Sequence, residues 1–496
     1  MYTPAEVTAQ QSLYMGAFVA LFGIIIIIIE RRWYHIKELR NLERLLGCKR
    51  LPDESDCYGG DFLGIAKALE LASHLKSHSY LQYTNSLFQR YGETYSSNVL
   101  TYRMISTCNA ENIKDILSKS FANFDGATLR KPLFKPITPH GIFTVDGAEW
   151  KSYRGSMRSR LSNLREIVDL NVCEGHFQNF CQHVPPNGQV FDAQACFLAL
   201  ALDIQTLFSL GESIDALSPD QSPEKKQFQD DLLFVKERIV EDGFRGPLRY
   251  LFSRRTFYQS CKRIRDYVSA YTPIHIQSQS NGDKKPAFQI SLLTDQTLDI
   301  LLANDSMGTT LSGLFYCLAQ DERIVSKLRA SILETIGVSP PSWEQLGELH
   351  YVRWVLQEAM RLFPPAVLNA RVANKHCTLP KGGGPDRQSP ILVKRGEVVL
   401  FSTWGSHRLG KQFGEDPERF YPERWEFLSG EVPGYIPFNA GPRICPGRHY
   451  AMIVLTYLVT RIFQTYSTVS NYNTEEWKER ISLTFENENG VLIGLS

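Results

Sequence analysis

From Ser12 to Ile29 the chain carries no charged residue, and the run closes on six consecutive isoleucines. Coiled as a helix at 1.5 Å per residue, it reaches roughly 27 Å, close to the hydrocarbon thickness of a bilayer. It is apolar on every face, so it lacks the polar stripe of a helix that packs on a water-facing core. Glu30-Arg31-Arg32 follows at once, then Trp33, Tyr34, Lys37 and Arg40. A cationic flank with interfacial aromatics directs the rest of the chain to the cytosolic side. No basic region precedes the run and no small-residue exit follows it, so it reads as a retained anchor and not a cleaved signal. The expected division is a single N-terminal transmembrane helix over 1–34, a basic connector and hinge over 35–61, and one large body over 62–496.

Composition narrows what that body does. A formal charge of +1 on 496 residues gives no electrostatic footprint for nucleic acid. The ten cysteines form no C-x-x-C pair and no disulfide framework, so they read as reduced thiols of a cytosol-facing protein. Pro52 and the polar stretch Asp53 to Asp61 break the basic connector before a helix expected near Phe62. Leu217 to Gln227 and Gln277 to Pro286 read as surface loops. Phe228 to Glu241 and Tyr258 to Ile276 space their apolar residues as helices do, whereas Gly382-Gly383-Gly384-Pro385 and Ile391 to Phe401 read as a turn and short strands. The fold class is mainly α with a minor β part late in the chain, and no internal repeat is visible.

Near the C-terminus stands Phe438-Asn439-Ala440-Gly441-Pro442-Arg443-Ile444-Cys445-Pro446-Gly447. This segment resembles F-x-x-G-x-R-x-C-x-G, the haem-binding signature of the cytochrome P450 family. The resemblance implies that Cys445 is the metal ligand, an axial thiolate that pushes electron density onto haem iron and favours O–O cleavage. In that setting Gly441 permits a tight turn, Arg443 pairs with a haem propionate, Phe438 shields the sulfur and Gly447 lets the next helix pass close. Pro446 suits the first position of that helix, whose N-terminus stabilises the sulfur's negative charge.

Other segments agree with the resemblance. Glu358-Ala359-Met360-Arg361 gives E-x-x-R, and Phe420 to Trp425 resembles the family's P-x-R-F element; together they imply a buried structural triad of Glu358, Arg361 and Arg424. Trp150 and Arg154 match W-x-x-x-R, one helical turn apart and both directed at a propionate. Arg371, seven residues beyond Pro364, corresponds to an arginine aimed at the second propionate. His140, His407 and His449 are read as ordinary histidines and not as ligands.

Thr297 to Leu318 reads as a long apolar helix interrupted by Ala303-Asn304-Asp305-Ser306-Met307-Gly308. The family commonly carries A-G-x-D-T-T here, and alignment on the acid makes Asp305 and Ser306 the catalytic carboxylate and alcohol, with Ala303 as the small residue beside the oxygen site. Such a pair relays the protons that O–O scission consumes. The chain departs from the pattern: Ser306 and Met307 replace two threonines and Leu302 replaces a small residue. Serine keeps the hydroxyl without the methyl that restricts its rotamer.

The resemblance spans nearly the whole chain beyond the anchor and is closest to the fungal branch that hydroxylates n-alkanes and fatty acids. Gly141 to Gly147, Leu207 to Ser213, Leu379 to Pro385 and Tyr435 to Asn439 carry that likeness. It implies the mainly helical P450 fold, haem b, an endoplasmic-reticulum membrane anchor with a cytosolic catalytic domain, and electrons from NADPH through a P450 reductase. The function implied is insertion of one oxygen atom from O2 into a C–H bond of a hydrophobic substrate, either a specialised metabolite (terpenoid, polyketide or alkaloid) or a fatty acid or alkane chain. The altered helix keeps two alternatives open: a reductase-independent isomerase or dehydratase, and a non-catalytic haem-binding membrane protein. The segments expected to line the pocket are those after Phe124, Leu210 to Arg245, Ala303 to Thr310 and Pro365 to Ala370.

Overall fold

Helices dominate a computed structural model that describes residues 36–54, 64–100, 102–161, 163–277, 287–428 and 430–496, with Phe22, Glu30, Arg31, Trp33 and Tyr34. Apart from Phe22, the apolar run expected as the anchor lies outside the described residues, as do the hinge residues 55–61 and the loop residues 278–286. Among the described residues, one helix is long and apolar enough to cross a membrane by length and composition alone. It is Ala193–Leu210, an internal helix with 67% of its residues buried in the protein.

The helices that build the site are, in chain order, α1 (Gly147–Arg160), α2 (Ala193–Leu210), α3 (Pro223–Arg245), α4 (Arg255–Gln277), α5 (Ala287–Leu302), α6 (Asp305–Leu318), α7 (His350–Leu362) and α8 (Arg448–Thr465). Local chemistry sets their ends. Asp192 caps α2 by accepting from the Gln194 and Ala195 amides, and Gly211 closes it at φ 78°. Ser222 caps α3 with Pro223 just inside, so the expected loop over Leu217 to Gln227 ends earlier than its composition suggests.

The main core lies where α2, α6, α7 and α8 meet, through Phe197, Leu200, Phe315, Val355, Leu458 and Phe463 among others. Gly308 makes the α2–α6 approach possible, since a Cβ there would sit 2.9 Å from the Phe197 carbonyl oxygen. The minor β part includes a five-stranded sheet of β1 (Thr94–Val99), β2 (Tyr102–Thr107), β3 (Phe124–Asp125), β4 (Leu368–Ala373) and β5 (Val398–Ser402), ordered β1-β2-β5-β4-β3, so strands also lie early in the chain and not only late as expected. Only β2 and β5 pair in parallel, with Met104 opposite Val398. β6 (Glu479–Ile481) and β7 (Phe485–Asn487) form a separate antiparallel hairpin.

α5 and α6 are one helical path broken at Ala303-Asn304. Across the break the backbone bonds shorten to i→i+3, from Ala303 N to Ile300 O at 3.1 Å and from Ser306 N to Ala303 O at 3.3 Å. This is a tightened turn within a helix, an arrangement that often marks a functional hinge. The interruption is narrower than expected, because Ser306, Met307 and Gly308 are already helical.

Candidate active site

The loop before α8 is held by its own backbone. Cys445 N donates to Phe438 O at 2.8 Å, and a single 3-10 turn, Gly441–Arg443, lies between them. Gly441 is obligatory: its φ is 64°, and a Cβ would fall 1.8 Å from Leu117 O. α8 begins at Arg448 with Gly447 as its N-cap, so Pro446 lies before the cap and is not the first helical residue. The sequence reading was off by two positions here because the turn that ends on Gly447 delays the helix. Cys445 faces a cavity of about 290 Å³. Burial pushes its thiol up, against the downward pull of the Gly447 amide and of Arg154 and Arg448.

The wall of this cavity beside Cys445 collects four guanidinium groups. Arg443 donates to Ile142 O and Val145 O at 3.1 and 3.0 Å, pairs with Asp146, and lies 4.4 Å over the Trp150 ring. Arg154, on α1, donates to Ile444 O. Arg371, on β4, is 1% exposed; its Nη1 reaches Asn369 Oδ1 and Ala370 O, each at 2.8 Å, whereas Nε and Nη2 meet no acceptor among the described residues. Arg130, which sequence reasoning missed, donates to the same Asn369 oxygen. The Trp150 Nε1 donor is also buried without a partner among the described residues.

The energetics of this group are unfavourable as it stands. Burial, then the charges of Arg130 and Arg443, hold Arg371 well below the usual guanidinium range. Burial and Arg443 bring Arg130 down to about 10. Arg130, Arg154 and Arg371 make no ion pair among the described residues. Buried cations with idle donors call for anions.

The opposite wall is the α5–α6 break. Ala303, Ser306, Met307 and Thr310 line the cavity together with Asp299, one turn earlier. The Thr309 and Thr310 hydroxyls donate back to Ser306 O at 3.2 and 2.7 Å. Asp305 is not among the lining residues. Both its oxygens accept from Lys236 Nζ of α3 at 2.8 Å, so the acid that the sequence set beside Ser306 is turned away from it. Asp299 accepts from Ile142 N at 2.6 Å and from the Tyr153 hydroxyl, and burial raises its carboxyl to about 7.

A second cavity, of about 450 Å³, adjoins the first through Arg130, Phe143, Ala303, Ser306, Pro365 and Asn369. Its walls are mostly apolar, and Ile239, Val240, Gly243 and Phe244 of α3 form one side. The expected pocket segments after Phe124, in α3, at the break and beyond Pro365 all contribute. The hairpin residues Ile481 to Thr484 were not foreseen, and no spacing in the sequence ties them to the site.

Below the site, Glu358, Arg361 and Arg424 meet. Arg361 donates to both Glu358 oxygens at 3.0 and 2.8 Å, Arg424 Nε at 2.9 Å, and the Trp425 indole and Tyr421 amide complete five bonds to one buried carboxylate. His407 is buried between Arg361 O and the Ile436 amide, and burial drops its pKa to about 3. Neither it, His140 nor His449 lines the cavities.

The family model for cytochrome P450 matches residues 62–490. The chain is 30% identical to the cytochrome P450 monooxygenase fsdH of Fusarium heterosporum, over 93% of this chain and 86% of that one. It is 30% identical to the cytochrome P450 monooxygenase himC of Aspergillus japonicus, over 97% and 90%. It is 31% identical to cytochrome P450 52A13 of Debaryomyces hansenii, over 81% and 83%. The residues fit the haem that this family carries: a cavity-facing sulfur for iron, and buried guanidinium and indole donors, some idle, for two carboxylates. Fold, site chemistry and relatives agree that the chain belongs to the cytochrome P450 family and is a haem-thiolate monooxygenase.

Proposed function

We propose that this monooxygenase oxidises a C–H bond of an apolar substrate, with Cys445 as the residue whose sulfur would hold the iron of haem b. Trp150, Arg154, Arg371 and Arg443 would hold its propionates with Arg130 beside them, and Phe438 would cover the sulfur. Haem held there would supply the chemistry of O2 activation, in which one oxygen atom goes to the substrate and the other, with two electrons and two protons, to water. The protein's own residues then do three things. The arginines and Trp150 fix the orientation of the group by charge-assisted bonds. Apolar walls exclude water from the reacting centre. Ser306 would pass protons inward, each replaced by one taken up from bulk solvent through the Asp305 carboxylate once that group is free to turn.

The observation that carries this reading is the idle donor set of Trp150 and Arg371 in the same cavity as Cys445. The substrate cavity is walled by Leu133, Phe134, Ile239, Phe244, Leu302 and Leu483, with Arg130 the one charged residue lining it among the described residues. That suits a terpenoid, polyketide or alkaloid skeleton, or a fatty acid or alkane chain. NADPH–cytochrome P450 reductase supplies the electrons, and the Ser12 to Ile29 run anchors the enzyme in the endoplasmic-reticulum membrane with its catalytic domain in the cytosol. The test is turnover under 18O2 with a P450 reductase and NADPH, over a panel of fatty acids and cyclic terpenoids. One labelled oxygen atom per product is expected; product that forms without reductase and carries no label would refute the reading.

A further inference from the structure

Three donors on one oxygen hold Asn369 in a single orientation. Its Oδ1 accepts from Arg371 Nη1 at 2.8 Å, from Arg130 Nη2, and from the Ala370 amide at 3.0 Å. A flipped side chain would set its NH2 against all three donors, so chemistry fixes which end is oxygen and which is nitrogen. Nδ2 is thereby turned from the guanidinium groups, and it meets no acceptor among the described residues.

Asn369 stands where the two cavities join. It lines both, and the segment Pro365 to Asn369 runs along the larger one. Asn369 and Arg371, two apart on β4, share one face of the strand. Arg371 uses Nη1 on Asn369 and on Ala370 O and keeps Nε and Nη2 for a propionate, so haem binds without taking the partners that orient Asn369. Other short polar side chains of the larger cavity are engaged elsewhere: Ser482 Oγ and Thr484 Oγ1 donate to Glu486 Oε1 at 2.9 and 3.3 Å. An apolar body that enters strips water from Nδ2 and leaves the donor bare unless it brings an acceptor of its own.

We propose that Asn369 is a specificity-determining residue whose Nδ2 donates to a carbonyl oxygen of the substrate, so that the substrate is an oxygenated apolar molecule such as a ketone, ester or lactone. This rests on the monooxygenase reading above and narrows it, because a bare alkane chain has no oxygen to offer. A site built around a substrate oxygen rejects the analogue that lacks it, since the donor is then buried without a partner. The bond also ties the substrate to the side chain that aligns Arg371. The carbonyl is therefore placed relative to the propionate-binding guanidinium and not by the apolar walls alone.

The probes are cyclododecanone and cyclododecane, matched in shape, and dodecanoate as a charged acceptor, each titrated into haem-loaded enzyme with Kd read from the shift of the haem absorption. Asn369→Asp keeps an oxygen for the two guanidinium groups and replaces the NH2 donor by a second acceptor. It is expected to weaken cyclododecanone by about ten- to hundredfold and to leave cyclododecane within about twofold. The ratio of the two Kd values cancels their difference in transfer from water. An unchanged ratio, or equal weakening of both, overturns the proposal. A loss confined to dodecanoate reports only the new negative charge and overturns it too. A second measurement needs no variant: cyclododecanone labelled with 13C at its carbonyl, bound to the parent, is expected to show a C=O stretch lower in frequency than in an alkane solvent, as a hydrogen-bonded carbonyl does. A parent that lacks the thiolate band of its carbon-monoxide complex refutes the monooxygenase reading. A parent that has the band but leaves the bound carbonyl stretch unshifted refutes only the role of Asn369.

Discussion

Replacing Arg371 by methionine has opposite expected effects on the haem-loaded and haem-free protein. In the structure Arg371 is 1% exposed, with Nε and Nη2 idle and with Arg130 and Arg443 raising the energy of its charge. Two charge-assisted bonds to one propionate, each worth about 1.5–3 kcal/mol, are lost on truncation. Allowing for partial compensation by Arg130, haem binding should weaken by about 2–4 kcal/mol, roughly 30- to 1000-fold. Without haem the same change removes a buried cation repelled by two others and puts a flexible apolar chain in its place. That should stabilise the haem-free protein by about 1–3 kcal/mol. Haem transfer to a scavenging apoprotein measures the first effect, and urea unfolding of haem-stripped protein the second. Unchanged haem loss, or a haem-free variant less stable than the parent, would refute the anion-cradle reasoning.

Gly441→Ala should abolish haem loading, since the added carbon falls 1.8 Å from Leu117 O at a φ of 64°; a parent-like haem spectrum would show that the loop can move aside. Glu358→Gln turns an acceptor for buried guanidinium groups into an NH2 donor, at a cost of about 3–5 kcal/mol, read as a lower urea midpoint and a lower haem-loaded yield; a parent-like midpoint would contradict the triad's role. Asp299 titrates at about 7 when folded and near 4 when unfolded. The folded state therefore holds the extra proton between those values, and stability falls as pH rises through that window. Asp299→Asn removes this loss, so it should exceed the parent's stability by a few kcal/mol at pH 8 and match it near pH 4; a gap that does not vary with pH would overturn the reading.

What could be read from the sequence was what adjacent residues encode. The Phe438 to Gly447 loop and the E-x-x-R pair are set by local geometry, so their residues meet in space because they are close in sequence. Arg424 joined them through its own short motif, although Trp425 beside it went unnoticed as a fifth donor to Glu358. Lys236 could not be paired with Asp305 from 69 residues away, because no periodicity links a lysine on one helix to a break in another. Arg130 and the Ile481 to Thr484 turn belong to the site only once the sheet and hairpin have folded back. The register error at Pro446 has a similar origin: proline favours a helix start, but the turn that fixes Cys445 decides where α8 begins.

The most direct measurement is the reduced carbon-monoxide difference spectrum of the parent beside Cys445→Ser. The parent should give the red-shifted band of iron with a thiolate ligand, and the variant should lose it while its fold, followed by circular dichroism, persists. A Cys445→Ser protein that keeps the band, or a parent that never shows it, would mean that the sulfur of Cys445 does not hold the iron.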